Sequence, residues 1–316
     1  MSLTMRHLEQ LGPFFPGSRI GVLLVHGLAG TPAEMKIVGK RLNKYGFSVL
    51  CPQLAGHCAT EADLVATNWT DWADSVAHAF EQLSGEMDAV FVGGLSAGAV
   101  LSLYIARRYP EKVRGLGLYS TTLRYDGWSI PKLSFLLPLV LKLPYIGKRY
   151  RFEEAYPYGI MNEKLRRRIV AQMHGGNAAA AGFSGTPGAS LKELWGLVAA
   201  VKRDLPEIMT PSLLVHARND DIASLRNAVY VQKHVGGPAD LLLLDNSYHM
   251  ITVDQERNTV CDATARFARD LLSEHEQGML AGAALEPIPE AGPVGVAGRD
   301  SSGEQGGTLH PVSLAS

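Results

Sequence analysis

Ser96 lies at the centre of Gly94-Leu95-Ser96-Ala97-Gly98, between a short apolar run, Ala89 to Val92, and a helical pattern that starts near Ala99. A serine at a sharp strand-to-helix turn exposes its hydroxyl, and glycines two residues to either side let the two backbones pass close. Such a hydroxyl is a weak nucleophile until a base lies within hydrogen-bond reach and an acid orients that base. Two later segments supply them in the order Ser, Asp, His. Arg218-Asn219-Asp220-Asp221 follows the run Ser212 to Ala217, and Asp245-Asn246-Ser247-Tyr248-His249 follows Asp240 to Leu244. The chemistry this set could do is acyl transfer. His249 would take the Ser96 proton as Oγ attacks an acyl carbonyl and return it to the leaving alcohol, while Asp220 holds the imidazole tautomer. Asp221 is the alternative acid, its other role being to cap the segment after it. The developing oxyanion needs fixed N–H donors. These are expected from the backbone of Ala97 and of Leu28, the latter within His26-Gly27-Leu28-Ala29-Gly30. His26, His57, His174 and His216 read as satisfied structural imidazoles, and Asp245 and Asp254 as structural carboxylates.

These loops need a scaffold that brings strand ends together, and the chain alternates short apolar runs with helical patterns. Ile20 to Val25, Phe47 to Cys51, Ala89 to Leu95, Val113 to Tyr119, Ser212 to Ala217 and Asp240 to Leu244 read as strands. Helices are expected over Glu34 to Lys44, Thr70 to Leu83, Val100 to Arg108, Lys192 to Asp204 and Val260 to Leu272, with Thr31-Pro32 as a helix start. The alternation predicts an α/β fold with a mostly parallel sheet covered on both faces. From Thr121 to Gly188 the rhythm breaks. No clean strand is legible there, only helical pieces such as Asn162 to Met173, so residues 121–188 are expected to form a helical cap inserted into a core of 1–120 and 189–276. The apolar stretch Trp128 to Ile146 reads either as cap packing or as the wall of an acyl-chain pocket or lipid-touching lid. Trp69 and Trp72 read as core. Residues 277–316 turn rich in Gly, Ala, Pro and Ser without periodicity and are expected to be a disordered tail.

Bulk properties narrow the function classes. Hydrophobic residues at 46% and charged residues at 19% of 316 describe a globular protein with room for a sizeable core. A net charge of −1 offers nothing that would attract nucleic acid or an anionic membrane. Three cysteines, Cys51, Cys58 and Cys261, are too few for a disulfide framework and lack zinc-site spacing. No secretory leader pattern opens the sequence, and the most apolar window, Ile130 to Ile146, is interrupted by Lys132, Lys142, Pro138 and Pro144. A cytoplasmic protein needing no cofactor or metal is the expectation. Its partner would be a small acyl ester, with at most transient lipid-surface contact through the cap.

Taken together, the motifs resemble those of α/β-hydrolases of the small bacterial carboxylesterase and monoacylglycerol lipase group. The likeness rests on Pro13-Phe14-Phe15, His26 to Gly30, Gly56-His57, Trp69 to Trp72, the serine elbow, Ala217 to Asp220 and His249 to Asp254, across residues 12 to 273. It implies the α/β-hydrolase fold, Ser96 as nucleophile, Asp220 as acid, His249 as base and oxyanion donors at Leu28 and Ala97. Cys58 stands where that group has a glycine, and the acid loop runs Asp220-Asp221-Ile222-Ala223-Ser224 instead of ending near a proline. The activity expected is hydrolysis of short to medium acyl esters, monoacylglycerols among them. An acyltransferase using the same triad, or a non-catalytic binding protein of the same fold, are the alternatives.

Overall fold

The computed structural model describes residues 5–137, 141, 150–153, 155–174, 185–290 and 296–297. Its strands are β1 (Phe14–Phe15), β2 (Ile20–Val25), β3 (Ser48–Leu50), β4 (Ala89–Leu95), β5 (Val113–Tyr119), β6 (Arg151–Glu153), β7 (Gly185–Pro187), β8 (Ser212–Ala217), β9 (Ala239–Leu244) and β10 (Val296–Ala297). Eight of them form one sheet in the order β1-β3-β2-β4-β5-β8-β9-β10, parallel except for the two short edge strands.

Every residue of β2 and β4 is buried, as a parallel sheet covered on both faces requires. Alternation along each strand divides them between two cores. Leu23 and Val25 of β2, with Val90 and Val92 of β4, pack under the helices Trp69–Glu86, Ala97–Arg108 and Gly188–Asp204. Ile20, Val22 and Leu24, with Phe91, face the helices Lys36–Lys44 and Arg257–Asp270. Trp72, Val76, Phe80 and Leu83 repeat at helical spacing on the buried side of Trp69–Glu86, so Trp72 is core as expected. Asn68 and Asp71 close a capping box that starts this helix.

Chain order places the crevice. From β2 the chain moves outward to β3, then returns to the other side of β2 to form β4. The loops leaving the carboxyl ends of β2 and β4 therefore diverge, and a gap opens between them at the topological switch point. The register pairs Val25 with Gly94, which sets His26–Gly30 beside the serine elbow.

Two regions differ from the sequence reading. In the insertion, β6 and β7 pair antiparallel, with Phe152 opposite Thr186. Three-residue strands are too short to show a period of two. Among its described residues the insertion holds the α-helix Glu163–His174, whose start is capped by Asn162 Oδ1 accepting from Leu165 N at 3.0 Å. Near the other end, residues 277–283 belong to a helix, Glu274–Ala283, and not to a loose tail. A Ser273–Glu276 capping box starts it, and Leu280 is buried in the second core. Leu285 and Glu286 then donate their backbone N–H to Lys44 O, and the Glu286 carboxylate meets Lys44 Nζ at 2.7 Å. The capping box was the signal in the sequence that an absence of apolar periodicity hid. Residues 298–316 lie outside the described residues. Among the described residues no helix is long and apolar enough to cross a membrane.

Candidate active site

Ser96 has φ 57° and ψ −114° and precedes the helix Ala97–Arg108. A left-handed backbone at a non-glycine residue is strained, and close packing holds it there. A Cβ on Gly94 would lie 2.4 Å from the Gly98 carbonyl, and one on Gly98 would lie 2.2 Å from Val25 O. Both glycines of the pentapeptide are thus required by backbone approach. The Ser96 N–H continues the β4–β5 ladder by donating to Tyr119 O at 2.9 Å.

The expected acid and base follow the ends of β8 and β9. Asp220 is 3% exposed, and its Oδ2 and Oδ1 lie 2.8 and 3.0 Å from His249 Nδ1. Its Oδ1 also accepts from the backbone N–H groups of Ile222 and Ala223, at 2.9 and 2.8 Å. Burial alone would push this carboxyl up. The charge and hydrogen bond of His249, aided by His216 and the Ala223 N–H, outweigh burial and hold it below the usual carboxylate range. His216, buried with Nε2 2.8 Å from Ala223 O, also lies 3.4 Å from Asp220 Oδ2. It therefore backs Asp220, a placement its sequence position did not suggest.

Asp221 points elsewhere. Its Oδ2 accepts from Gly159 N at 3.0 Å and its Oδ1 from His249 N at 3.3 Å, and burial pushes its carboxyl up. It ties the insertion to the base loop instead of facing the imidazole. Asp254 does the same from the other side, accepting from Tyr248 N, Met161 N and Asn162 N. The Ser120 hydroxyl donates to His249 O at 2.7 Å.

Ser96 and His249 line one small cavity of about 60 Å³, together with Gly27, Leu28 and Glu34 of the first loop. Of the two expected oxyanion donors, Leu28 lines this cavity and Ala97 opens the helix that follows Ser96. At rest the Ser96 hydroxyl donates to Thr122 Oγ1 at 3.0 Å, and Thr122 donates to Ser120 O. Thr122 was not singled out from the sequence. Its signal is topological: it follows β5, the neighbour of β4, so it emerges beside the elbow.

Of the other histidines named from the sequence, His26 has a partner at both ring nitrogens, whereas His57 is bonded only at Nδ1 and its buried Nε2 has none among the described residues. His26 and His57 pack edge to face, 5.1 Å apart, and burial lowers them to about 3 and about 4. Cys58 adopts φ 65°, so the turn after Gly56-His57 keeps a left-handed shape without its glycine.

Tyr125 and Phe152, with ring centroids 5.6 Å apart, border both the Ser96–His249 cavity and a larger one of about 810 Å³. Trp128, Ile130, Pro131, Leu137, Leu191 and Trp195 contribute apolar wall to the larger space. Of the stretch Trp128 to Ile146, residues 138–140 and 142–149 lie outside the described residues. Trp128 Nε1 donates to Asn219 O at 3.0 Å and its ring packs on Tyr248, while the residue is 57% exposed.

Comparison with known proteins adds to this geometry. The profile of the Hydrolase_4 family, described as serine aminopeptidase S33, matches residues 17–256. A thermostable monoacylglycerol lipase from Bacillus sp. (strain H-257) is 27% identical over 257 residues, 81% of this chain and 93% of that protein. A carboxylesterase from Bacillus subtilis (strain 168) is 28% identical over 267 residues, 82% of this chain and 96% of its own length. A solved structure of the metagenome-derived lipolytic enzymes LipS and LipT superimposes with a TM-score of 0.69 at 27% identity, covering 82% of this chain and 96% of that one.

Proposed function

The chain belongs to the Hydrolase_4 family (serine aminopeptidase, S33), and we propose that within it the chain is a serine carboxylic-ester hydrolase working through an acyl-enzyme. Its α/β-hydrolase fold and its kinship with a bacterial carboxylesterase and a monoacylglycerol lipase are those the motifs implied. The observation that carries the reading is the Asp220–His249 contact at 2.8 Å on the wall of a cavity that Ser96 also lines. In this reading His249 keeps its Nδ1 proton on Asp220 and presents Nε2 to the Ser96 hydroxyl. As Oγ attacks, the proton passes to Nε2 and the imidazolium is stabilised by the buried carboxylate. The carbonyl oxygen collects negative charge against the N–H groups of Leu28 and Ala97. Collapse expels the alcohol with the proton from His249, and water repeats the sequence on the acyl-enzyme.

The acyl chain would pass between Tyr125 and Phe152 into the larger apolar-walled space, which suits short to medium chains and makes monoacylglycerols a fitting class. Exposed Trp128, Leu133, Leu136 and Tyr156 on the insertion support transient contact with lipid aggregates. A reducing, cytoplasmic setting accords with three free thiols. The test is Ser96→Ala against a p-nitrophenyl ester series and an aminoacyl anilide. Ester turnover lost with the fold intact, and fluorophosphonate labelling lost in the variant, are expected. Full residual esterase activity, or faster anilide than ester cleavage by the wild type, would overturn the reading.

A further inference from the structure

The His26–Gly30 loop carries a carboxyl that the mechanism above does not use. Glu34 ends the short helical turn Pro32–Glu34, which Thr31 caps by accepting from Ala33 N at 3.2 Å. This turn directs the Glu34 side chain back into the loop it has just left. Its Oε2 accepts from Gly27 N at 3.0 Å. A Cβ on Gly27 would lie 3.5 Å from that oxygen and 3.6 Å from Ser96 Cβ, and a Cβ on Gly30 would lie only 2.0 Å from Oε1. The carboxyl thus occupies the inside of the loop, between its two glycines, and borders the cavity shared by Ser96 and His249.

Peptide planarity carries this contact to the oxyanion donor. Gly27 C=O and Leu28 N–H belong to one trans peptide and point in opposite directions. Gly27 O is held by the Gly30 N–H at 3.2 Å and by His26 Nδ1 at 2.9 Å. His26 Nε2 accepts from Leu54 N at 3.3 Å, so Nδ1 carries the proton and donates. The preceding peptide is fixed through its Gly27 N–H by Glu34. With both peptides around Gly27 pinned, the Leu28 N–H has one direction left.

We propose that Glu34 is a positioning residue for acyl transfer: its carboxylate, lodged in the His26–Gly30 loop, orients the peptide whose Leu28 N–H receives the oxyanion. This rests on the ester-hydrolase reading above and assigns one of its parts. Glu34 touches no reacting atom and acts through Gly27.

The group can also titrate in the working range. Removal from water pushes the carboxyl up to about 7, against the pull of the Gly27 and Thr31 N–H groups and of His249. Of the other titratable groups on the packed elements, His26 and His57 are lowered to about 3 and about 4, and the Cys58 thiol is pushed up to about 11 by burial and by Glu34 itself. None of these three changes charge between pH 5 and 9. The ionised carboxylate is the stronger acceptor for Gly27 N–H. Protonation as pH falls through about 7 therefore loosens the loop, and activity drops on the acid side in addition to the loss caused by protonating the base.

The experiment compares wild type, Glu34→Gln and Glu34→Ala, after Ser96-dependent fluorophosphonate labelling of the wild type has established the ester-hydrolase reading independently. In Glu34→Ala, kcat should fall about 10- to 100-fold with KM within about twofold, because misaimed oxyanion donors cost transition-state and not ground-state binding. The labelling rate should fall in parallel, since phosphonylation builds charge in the same hole. Glu34→Gln keeps an acceptor oxygen and cannot ionise, so kcat at pH 8 should stay within about threefold of wild type. Its kcat/KM profile should lose the wild-type inflection near 7 and descend with a single slope. If Glu34→Ala does not fold, the Glu34→Gln profile decides alone. A wild-type-like profile in Glu34→Gln, or an unchanged kcat in folded Glu34→Ala, would overturn the proposal and leave Glu34 as packing.

Discussion

Replacing Asp220 by Asn separates the acid's charge from its place in the fold, and the surroundings of Asp220 fix what the amide must do. Oδ1 accepts from two backbone N–H groups, Ile222 and Ala223. An Asn at this position would keep its oxygen there, since turning the NH2 toward those donors would leave two buried N–H groups unpaired, at about 1–3 kcal/mol each. Even 2 kcal/mol holds the flipped amide to a few per cent or less, at about 1.4 kcal/mol per tenfold. The NH2 then takes the place of Oδ2, 2.8 Å from His249 Nδ1. It can only donate, so this shorter contact favours a His249 that accepts at Nδ1 and carries its proton on Nε2, the atom that should receive the Ser96 proton, over one that donates Nδ1–H to the retained oxygen at 3.0 Å. The imidazolium also loses its buried counter-charge. Together these should lower kcat by about 10⁴-fold, as loss of the acid does in triads of this geometry, or about 5 kcal/mol of transition-state stabilisation. The assay is steady-state hydrolysis of p-nitrophenyl butyrate from pH 6 to 10, with melting curves to show that the fold persists. Asp221→Asn is the control. It weakens the contacts to Gly159 N and His249 N, so it should lower the melting temperature while keeping kcat within about tenfold, because the imidazole's acid remains. Retention of more than about a tenth of wild-type kcat in Asp220→Asn, with activity lost by orders of magnitude in Asp221→Asn, would refute the assignment of the acid.

Two further outcomes are expected. Cys58 holds φ 65° at an energetic cost that glycine would not bear, about 1–2 kcal/mol, partly offset by the greater chain entropy of glycine when unfolded. Cys58→Gly should raise the melting temperature by about 1–2 °C, and a fall of several degrees would show that the thiol's contacts matter more than its backbone. Phe152 borders both the Ser96–His249 cavity and the larger space, where the proposed path of the acyl chain runs. Phe152→Ala should raise the kcat/KM ratio of dodecanoate to butyrate esters about tenfold; an unchanged ratio would mean that the acyl chain does not run that way.

Much of the scaffold was legible because its signals are local. β2, β4, β5 and β8 have the bounds read from their apolar runs, since a buried parallel strand needs continuous apolar residues and ends where turn residues begin. The elbow was legible as well, because Gly94 and Gly98 answer to backbone approach within five residues. Asp220 and His249 were singled out by chain order and strand ends, with Asp221 as the alternative acid, and the fold brings Asp220 and not Asp221 onto the imidazole Nδ1. Neighbours in sequence, they differ by which side of the loop faces the imidazole, and that is set by contacts with residues 28 and 62 positions away. Short elements escaped for the opposite reason: β6 and β7 become strands only by pairing with each other across more than 30 residues, and neither shows a period alone.

What the sequence by itself determined is a candidate set of groups: a serine at a strained turn, an aspartate and a histidine in order, and glycines where backbones meet. The tertiary structure decided how these groups are held and what can reach them. Glu34 inside the loop of Gly27 and Gly30 and His216 behind Asp220 depend on how each loop turns back on itself, and Thr122 under the Ser96 hydroxyl and the Tyr125–Phe152 ring contact arise between segments more than 25 residues apart. Residue types and spacing report what a local turn must be. Only the sheet order and the docking of the insertion set which distant side chains share a cavity, because those juxtapositions depend on packing and not on any local pattern.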